Sequence, residues 1–222
     1  MIRDTKKTPA FWEESLNSHK MEIERYEGIL KSTIDDRKRA RIQRCVYHEY
    51  LCLLVTQYSA GESYAVMKDS FSKCLKIMSD IWTPDNSYVE MLWMISIGVL
   101  LDVDDMDTQL LCKVYEQYGE DDAILSYLLR YFSPSFPGCE KLLFEHPYNV
   151  LLAATTKDGV DAKQMIMRYL KGWYKGHDDT WWYGTHQTDR YIGYWSFESA
   201  AIAKIMKLDV SDLADREFFP KF

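Results

Sequence analysis

The sequence lacks any apolar stretch long enough to span a bilayer. Its longest apolar run, residues 91–101, ends at Asp102, well short of the roughly 20 residues that a membrane helix needs, and is expected to form a buried helix. The opening Met1-Ile2-Arg3-Asp4-Thr5-Lys6-Lys7 has charges with no apolar core behind them, so a secretory signal is not expected and the cytosol is the expected compartment. No C-x-x-C pair occurs. The five cysteines, Cys45, Cys52, Cys74, Cys112 and Cys139, are odd in number and widely spread, which argues against a zinc ribbon or redox motif and predicts reduced, mostly core residues. The chain also has no G-x-S-x-G elbow, no phosphate loop and no G-x-G-x-x-G, so the common signatures of hydrolases, NTPases and dinucleotide enzymes are missing. Positive charge is in deficit: 27 Lys and Arg stand against 34 Asp and Glu, a net of −7. A general nucleic-acid binder needs the opposite balance, whereas an acidic protein suits a basic protein partner.

What the sequence has in abundance is helical periodicity. Apolar residues recur at spacings of three and four almost throughout, and strict alternation is scarce, so an all-α fold of about nine helices is expected. The first starts at Thr8-Pro9, a hydroxyl cap followed by proline at the first helical position, and runs to about residue 31. The second opens at Asp35-Asp36 and stops at Ser59-Ala60-Gly61; the third carries Tyr64, Met67, Phe71, Cys74, Leu75 and Met78 as one stripe and stops before Thr83-Pro84. A fourth fills residues 88–101, and others are read near 108–118, 122–132, 147–154 and 162–173. Residues 176–193, rich in aromatics but also in Gly, His and Asp, read as a long ordered loop before a last helix at about 195–207. Ser133-Pro134-Ser135-Phe136-Pro137-Gly138 breaks the chain. The expected organisation is an N-terminal helical region, 1–132, and a C-terminal one, 139–222, packed on it as one unit.

Several groupings invite a chemical reading. His177, Asp178, Asp179, His186 and Asp189 bring imidazoles and carboxylates close in sequence, as a metal site requires. Their spacing matches no metal motif, and Trp181, Trp182, Tyr183 and Tyr191 surround them, so polar pins for an aromatic loop are the favoured account. His48-Glu49 begins like a zinc-protease helix, but Cys52 stands where the second histidine is required. Arg37, Lys38, Arg39, Arg41 and Arg44 lie on one helix behind two acids and read as a solvated face. No catalytic residue, metal or cofactor is expected. The charge is most uneven over residues 85–145, which hold twelve acids against Lys113, Arg130 and Lys141. Solubility and helix N-termini explain such acids, and so does a docking surface for a basic protein.

Arg3-Asp4, Tyr58-Ser59-Ala60-Gly61-Glu62, Leu100-Leu101-Asp102-Val103-Asp104-Asp105 and Lys141-Leu142-Leu143-Phe144-Glu145-His146-Pro147-Tyr148 occur together with two more specific stretches. These are Lys171-Gly172-Trp173-Tyr174-Lys175-Gly176-His177 and Tyr191-Ile192-Gly193-Tyr194-Trp195-Ser196-Phe197-Glu198-Ser199-Ala200-Ala201. In this combination the chain resembles the immunity proteins paired with PoNe-type polymorphic DNase toxins of contact-dependent and type VI bacterial competition. The resemblance implies an α-helical, non-enzymatic cytosolic protein that binds a nuclease toxin and stops it from cleaving DNA, with no direct contact to nucleic acid or membrane. It carries no catalytic residues. Trp173, Tyr174, His177, Tyr194, Trp195, Phe197 and Glu198 are signature positions with an expected structural role. Asp102, Asp104, Asp105, Asp107, Glu120, Asp121 and Asp122 are the candidate toxin contacts. Two other functions compete: a TPR-like helical adaptor, which should show a repeat near 34 residues that is not found, and a hydrolase using the 177–189 loop, which should show a nucleophile and base at recognisable spacing.

Overall fold

Short polar side chains set most helix starts in this chain. In the computed structural model, which describes residues 1–83 and 85–222, Thr8, Asp35, Ser63, Ser87, Asp104 and Asp122 each stand in extended backbone and accept hydrogen bonds from amides one turn on. Each satisfies donors that the helix itself leaves orphaned. The result is an all-α protein with nine α-helices and no strand among the described residues. No helix among them is long and apolar enough to cross a membrane.

The chain divides into two units, Met1–Thr83 with Gly184–Gly193, and Pro84–Tyr183 with Tyr194–Phe222. In the first, α1 (Pro9–Ser32), α2 (Asp36–Ala60) and α3 (Tyr64–Ile81) follow one another, and α2 packs against both of its neighbours. That central place explains why residues 51–59 of α2 are all buried, since a helix covered on two sides cannot keep a polar face. Leu16 and Ile23 of α1 meet Leu53 of α2 in a small apolar cluster. α2 stops at Gly61, whose φ of +83° is left-handed and whose Cβ, if present, would lie 1.9 Å from the Met1 carbonyl oxygen, so both conformation and space require glycine there. The expected stop of α3 at Thr83-Pro84 is met by Trp82 as C-cap; Pro84 lies outside the described residues.

In the second unit α4 (Tyr88–Leu101) is central, and α5 (Asp105–Tyr118), α6 (Ala123–Leu129) and α9 (Phe197–Ile205) pack on it. Nearly every α4 residue is buried, as its apolar sequence predicts. α7 (Glu145–Ala154) and α8 (Gly159–Trp173) form a pair, with α8 also touching α9. The 133–138 break lies inside this unit, not between units. α5 starts three residues earlier than its periodicity suggests, because the Asp104 carboxylate takes the amides of Met106 and Asp107 and opens the helix at Asp105. His146 inside α7 is extended, at φ −101° and ψ 130°, the conformation that a following proline imposes. The aromatic loop holds two 3-10 turns, Lys175–His177 and Thr185–Gln187.

Candidate functional site

The signature stretches of the first unit meet at the C-terminus of α2. Arg3 Nη1 donates to the carbonyls of Tyr58 (3.0 Å) and Glu62 (3.2 Å), while its guanidinium lies 4.7 Å from the Tyr58 ring centre and 5.3 Å from that of Tyr64. A cation on the last carbonyls of a helix is favourably placed in the helix field. The amides of Arg3 and Asp4 both donate to Ser59 O, and Ser59 Oγ donates to Ile192 O at 2.6 Å. The buried Asp4 carboxylate accepts from Tyr191 OH at 2.6 Å and from the Lys6 amide at 2.8 Å, and its carbonyl accepts from Trp12 Nε1. Arg3-Asp4, residues 58–62 and residues 191–193 are therefore one joint.

In the second unit the corresponding joint is the fully buried Glu198, the second residue of α9. Its Oε1 accepts from Tyr169 OH (2.8 Å), Trp173 Nε1 (2.6 Å) and Ser196 Oγ (2.6 Å), whereas Oε2 is buried with no donor among the described residues. Burial first, and the Glu198 charge second, push the Tyr148 and Tyr169 hydroxyls well above the usual tyrosine range. His177 is buried between two partners: Nδ1 lies 2.6 Å from Trp173 O and Nε2 lies 2.9 Å from Tyr148 OH. A carbonyl can only accept, so Nδ1 carries the hydrogen and, in neutral imidazole, Nε2 accepts from Tyr148. Trp173 stacks on Trp182 at 5.1 Å, Tyr174 lies 4.9 Å from Tyr194, and Phe197 meets Trp93 edge-on. Trp195, the remaining signature position, is half-buried.

The loop histidines and acids do not converge. His177 belongs to the second unit, and its ring nitrogens are both engaged; His186 and Asp189 are exposed and belong to the first. Among the described residues no group of three or more His, Cys, Asp or Glu is arranged to hold a metal ion. At the other tempting motif His48 Nε2 lies 3.6 Å from Cys52 Sγ, and Glu49 instead pairs with His19 Nδ1 at 2.8 Å.

The seven candidate contact acids separate into two classes. Asp122 is wholly buried: Oδ1 accepts from the amides of Ile124 and Leu125 and from Tyr88 OH, and Oδ2 from the Leu143 amide at 2.9 Å. It ties α4, α6 and the 141–148 stretch together and has no surface to offer a partner. Asp107 is buried as well. Both are corrections to the surface role expected of them. Asp107 lies in the first turn of α5, which carries its side chain inward, and Asp122 precedes α6 in extended backbone with its carboxylate turned onto the first amides of that helix. Asp102, Asp104, Asp105, Glu120 and Asp121 are exposed. Asp102 pairs with Lys204 at 2.7 Å and accepts from Tyr131 OH, a bond that, with burial, pushes the Tyr131 hydroxyl up to about 12. Lys204 in turn caps the α4 carbonyls of Val99 and Leu100. Glu120 lies 3.6 Å from Lys141.

Sequence reasoning missed a cavity of about 400 Å³ in the second unit. Its walls include the buried rings of Tyr88 and Tyr148, and exposed Phe144, Trp181 and Asp179 reach its rim. The residues come from α4, the start of α7 and the 177–182 turn, elements far apart in sequence. The clustering of aromatics at 181–183 was the one local signal.

Two family models match the chain. That of the PoNe immunity protein (PoNi) N-terminal region covers residues 1–113, and that of the PoNe immunity proteins' C-terminal region covers residues 120–222. The crystal structure of protein PA2201 from Pseudomonas aeruginosa is similar with a TM-score of 0.71 at 17% identity, over 95% of this chain and 85% of that one, which shows a shared fold. No curated protein sequence matches the chain. With one family model on each half of the chain, the chain belongs to the PoNe immunity proteins.

Proposed function

We propose that this protein binds a cognate DNase toxin in the cytosol and neutralises it, without catalysing a reaction, protecting its cell in interbacterial competition such as type VI attack. The match of the family models over both halves of the chain carries this reading. The acidic second unit supports it electrostatically. A DNase presents cationic groups to phosphate, and exposed carboxylates compete for that field, steer encounter and exclude DNA. The candidate contacts are the accessible Asp102, Asp104, Asp105, Glu120 and Asp121.

The test is co-expression with a PoNe-type DNase domain. Growth and intact chromosomal DNA are expected with the wild-type protein, and purified partners should form a complex whose association slows as salt rises. Asp105→Lys with Asp121→Lys is the sharpest pair, because both side chains are exposed and neither accepts the capping bonds that Asp104 and Asp122 do. Arg37→Glu with Lys38→Glu is the control. If the acidic reversals associate at wild-type rate across a salt series while the controls lose protection, the docking surface lies elsewhere. If the wild-type protein neither binds nor protects, the immunity reading itself fails.

A further inference from the structure

Resting on that toxin-binding reading, we propose that the aromatic cavity of the second unit is an anchor pocket for one arginine side chain of the nuclease. Its size suits such an occupant: about 400 Å³ is at the small end of the roughly 300–1,000 Å³ typical of ligand sites, ample for a long side chain and too small for a polymer. Its lining is rich in aromatic rings: Tyr88, Phe144, Tyr148, Trp181 and Trp182. Tyr88 lies 4.9 Å from Phe144 and 5.2 Å from Tyr148, and the two tyrosine hydroxyls are committed to Asp122 and His177, which fixes their rings. Trp181 is 40% exposed and Phe144 49%. Paired exposed aromatics at the rim of a concavity are what interface anchors are made of.

The sign of charge selects the occupant. Trp181 Nε1 donates to Glu90 Oε1 at 3.0 Å, which holds the indole plane and sets a carboxylate beside it. Asp179 lines the same cavity, is exposed, and has no hydrogen bond or ion pair among the described residues. An apolar side chain would fill the volume but desolvate the Asp179 carboxylate without compensation. Arginine stacks its planar guanidinium on ring faces and pairs with a carboxylate through its forked donors, which the compact, strongly hydrated lysine ammonium does less well. The surrounding unit supplies the long-range field, with 21 Asp and Glu against 12 Lys and Arg, a net of −9. An arginine captured here is withdrawn from phosphate binding.

The experiment has two arms on the full-length protein. With a catalytically inactive PoNe-type DNase domain that the wild-type protein binds, Trp181→Ala is expected to weaken binding about 30-fold and Asp179→Lys about tenfold. Asp179 is exposed, so its variant should unfold near the wild-type temperature, and thermal unfolding of Trp181→Ala separates a loss of binding from a loss of fold. In the second arm, N-acetyl-arginine amide should shift the Trp181 indole N–H resonance of 15N-labelled protein, and N-acetyl-leucine amide should not. Wild-type binding of the nuclease together with unchanged affinity in both variants overturns the pocket and leaves the immunity reading standing. A resonance that answers to the leucine amide alone also overturns it, in favour of an apolar anchor. Failure of the wild-type protein to bind any such domain removes both readings.

Discussion

The two units solve the same problem, joining distant helices, with different chemistry. The first carries 15 Lys and Arg against 13 Asp and Glu, a net of +2, and the second a net of −9. Long consecutive helices make the first, and its joint is a helix end: backbone amides and Arg3 meet the carbonyls of α2 around Ser59. Six shorter helices make the second, and its joints are the buried carboxylates Asp122 and Glu198, each gathering donors from several elements. The contrast shows that an acidic composition is not the same as an acidic surface. Asp107, Asp122 and Glu198 count in the charge of the second unit and lie in its interior.

If carboxylate hubs do the joining in the second unit, removing them should cost more than removing the carboxylate of the first. Asp122→Ala leaves four donors without their acceptor and should lose about 4 kcal/mol, at roughly 1 kcal/mol or more for each orphaned donor; urea unfolding measures this. Glu198→Ala orphans three and should lose about 3 kcal/mol, with Glu198→Gln recovering part because an acceptor is kept at Oε1. Asp4→Ala in the first unit should lose only about 2 kcal/mol, since the carboxylate serves Tyr191 OH and one amide while the backbone bonds to Ser59 remain. Amide exchange in each variant should rise first in the unit that holds the substitution. Equal losses for Asp4→Ala and Asp122→Ala would erase the distinction.

The smallest effect is a pH dependence in the first unit. Burial, the dominant influence, lowers the His48 pKa below 6.5; Glu49 works against that shift and His19 adds to it. The unfolded chain therefore takes up a proton before the folded one does, and stability drops as pH falls from about 6.5 through the folded value, with no contribution above that range. His48→Gln should flatten this slope in urea midpoints between pH 7 and pH 5. An unchanged slope would place the acid sensitivity elsewhere.

What was legible in the sequence was local. Thr8, Asp35 and Gly61 mark the ends of α1 and α2 because a cap works within one turn, and the apolar run of residues 91–101 announces a helix buried on every side. The burial of Asp122 was not legible, since it depends on Tyr88 and the Leu143 amide, 34 and 21 residues away. The aromatic cavity was hidden for the same reason. The loop at 176–193 was read as one element because it is continuous, yet its two halves belong to different units.

That division bears on how the protein is made. The ribosome releases α1, α2 and α3 early, but the stretch of chain that completes their unit, Gly184–Gly193, comes only after the Pro84–Tyr183 part of the second unit has been synthesised. Until then Asp4 waits for the Tyr191 hydroxyl and Ser59 for the Ile192 carbonyl. A chain whose translation pauses before residue 184 therefore presents an unfinished first unit with uncovered apolar surface, the kind of species that chaperones hold and proteases remove.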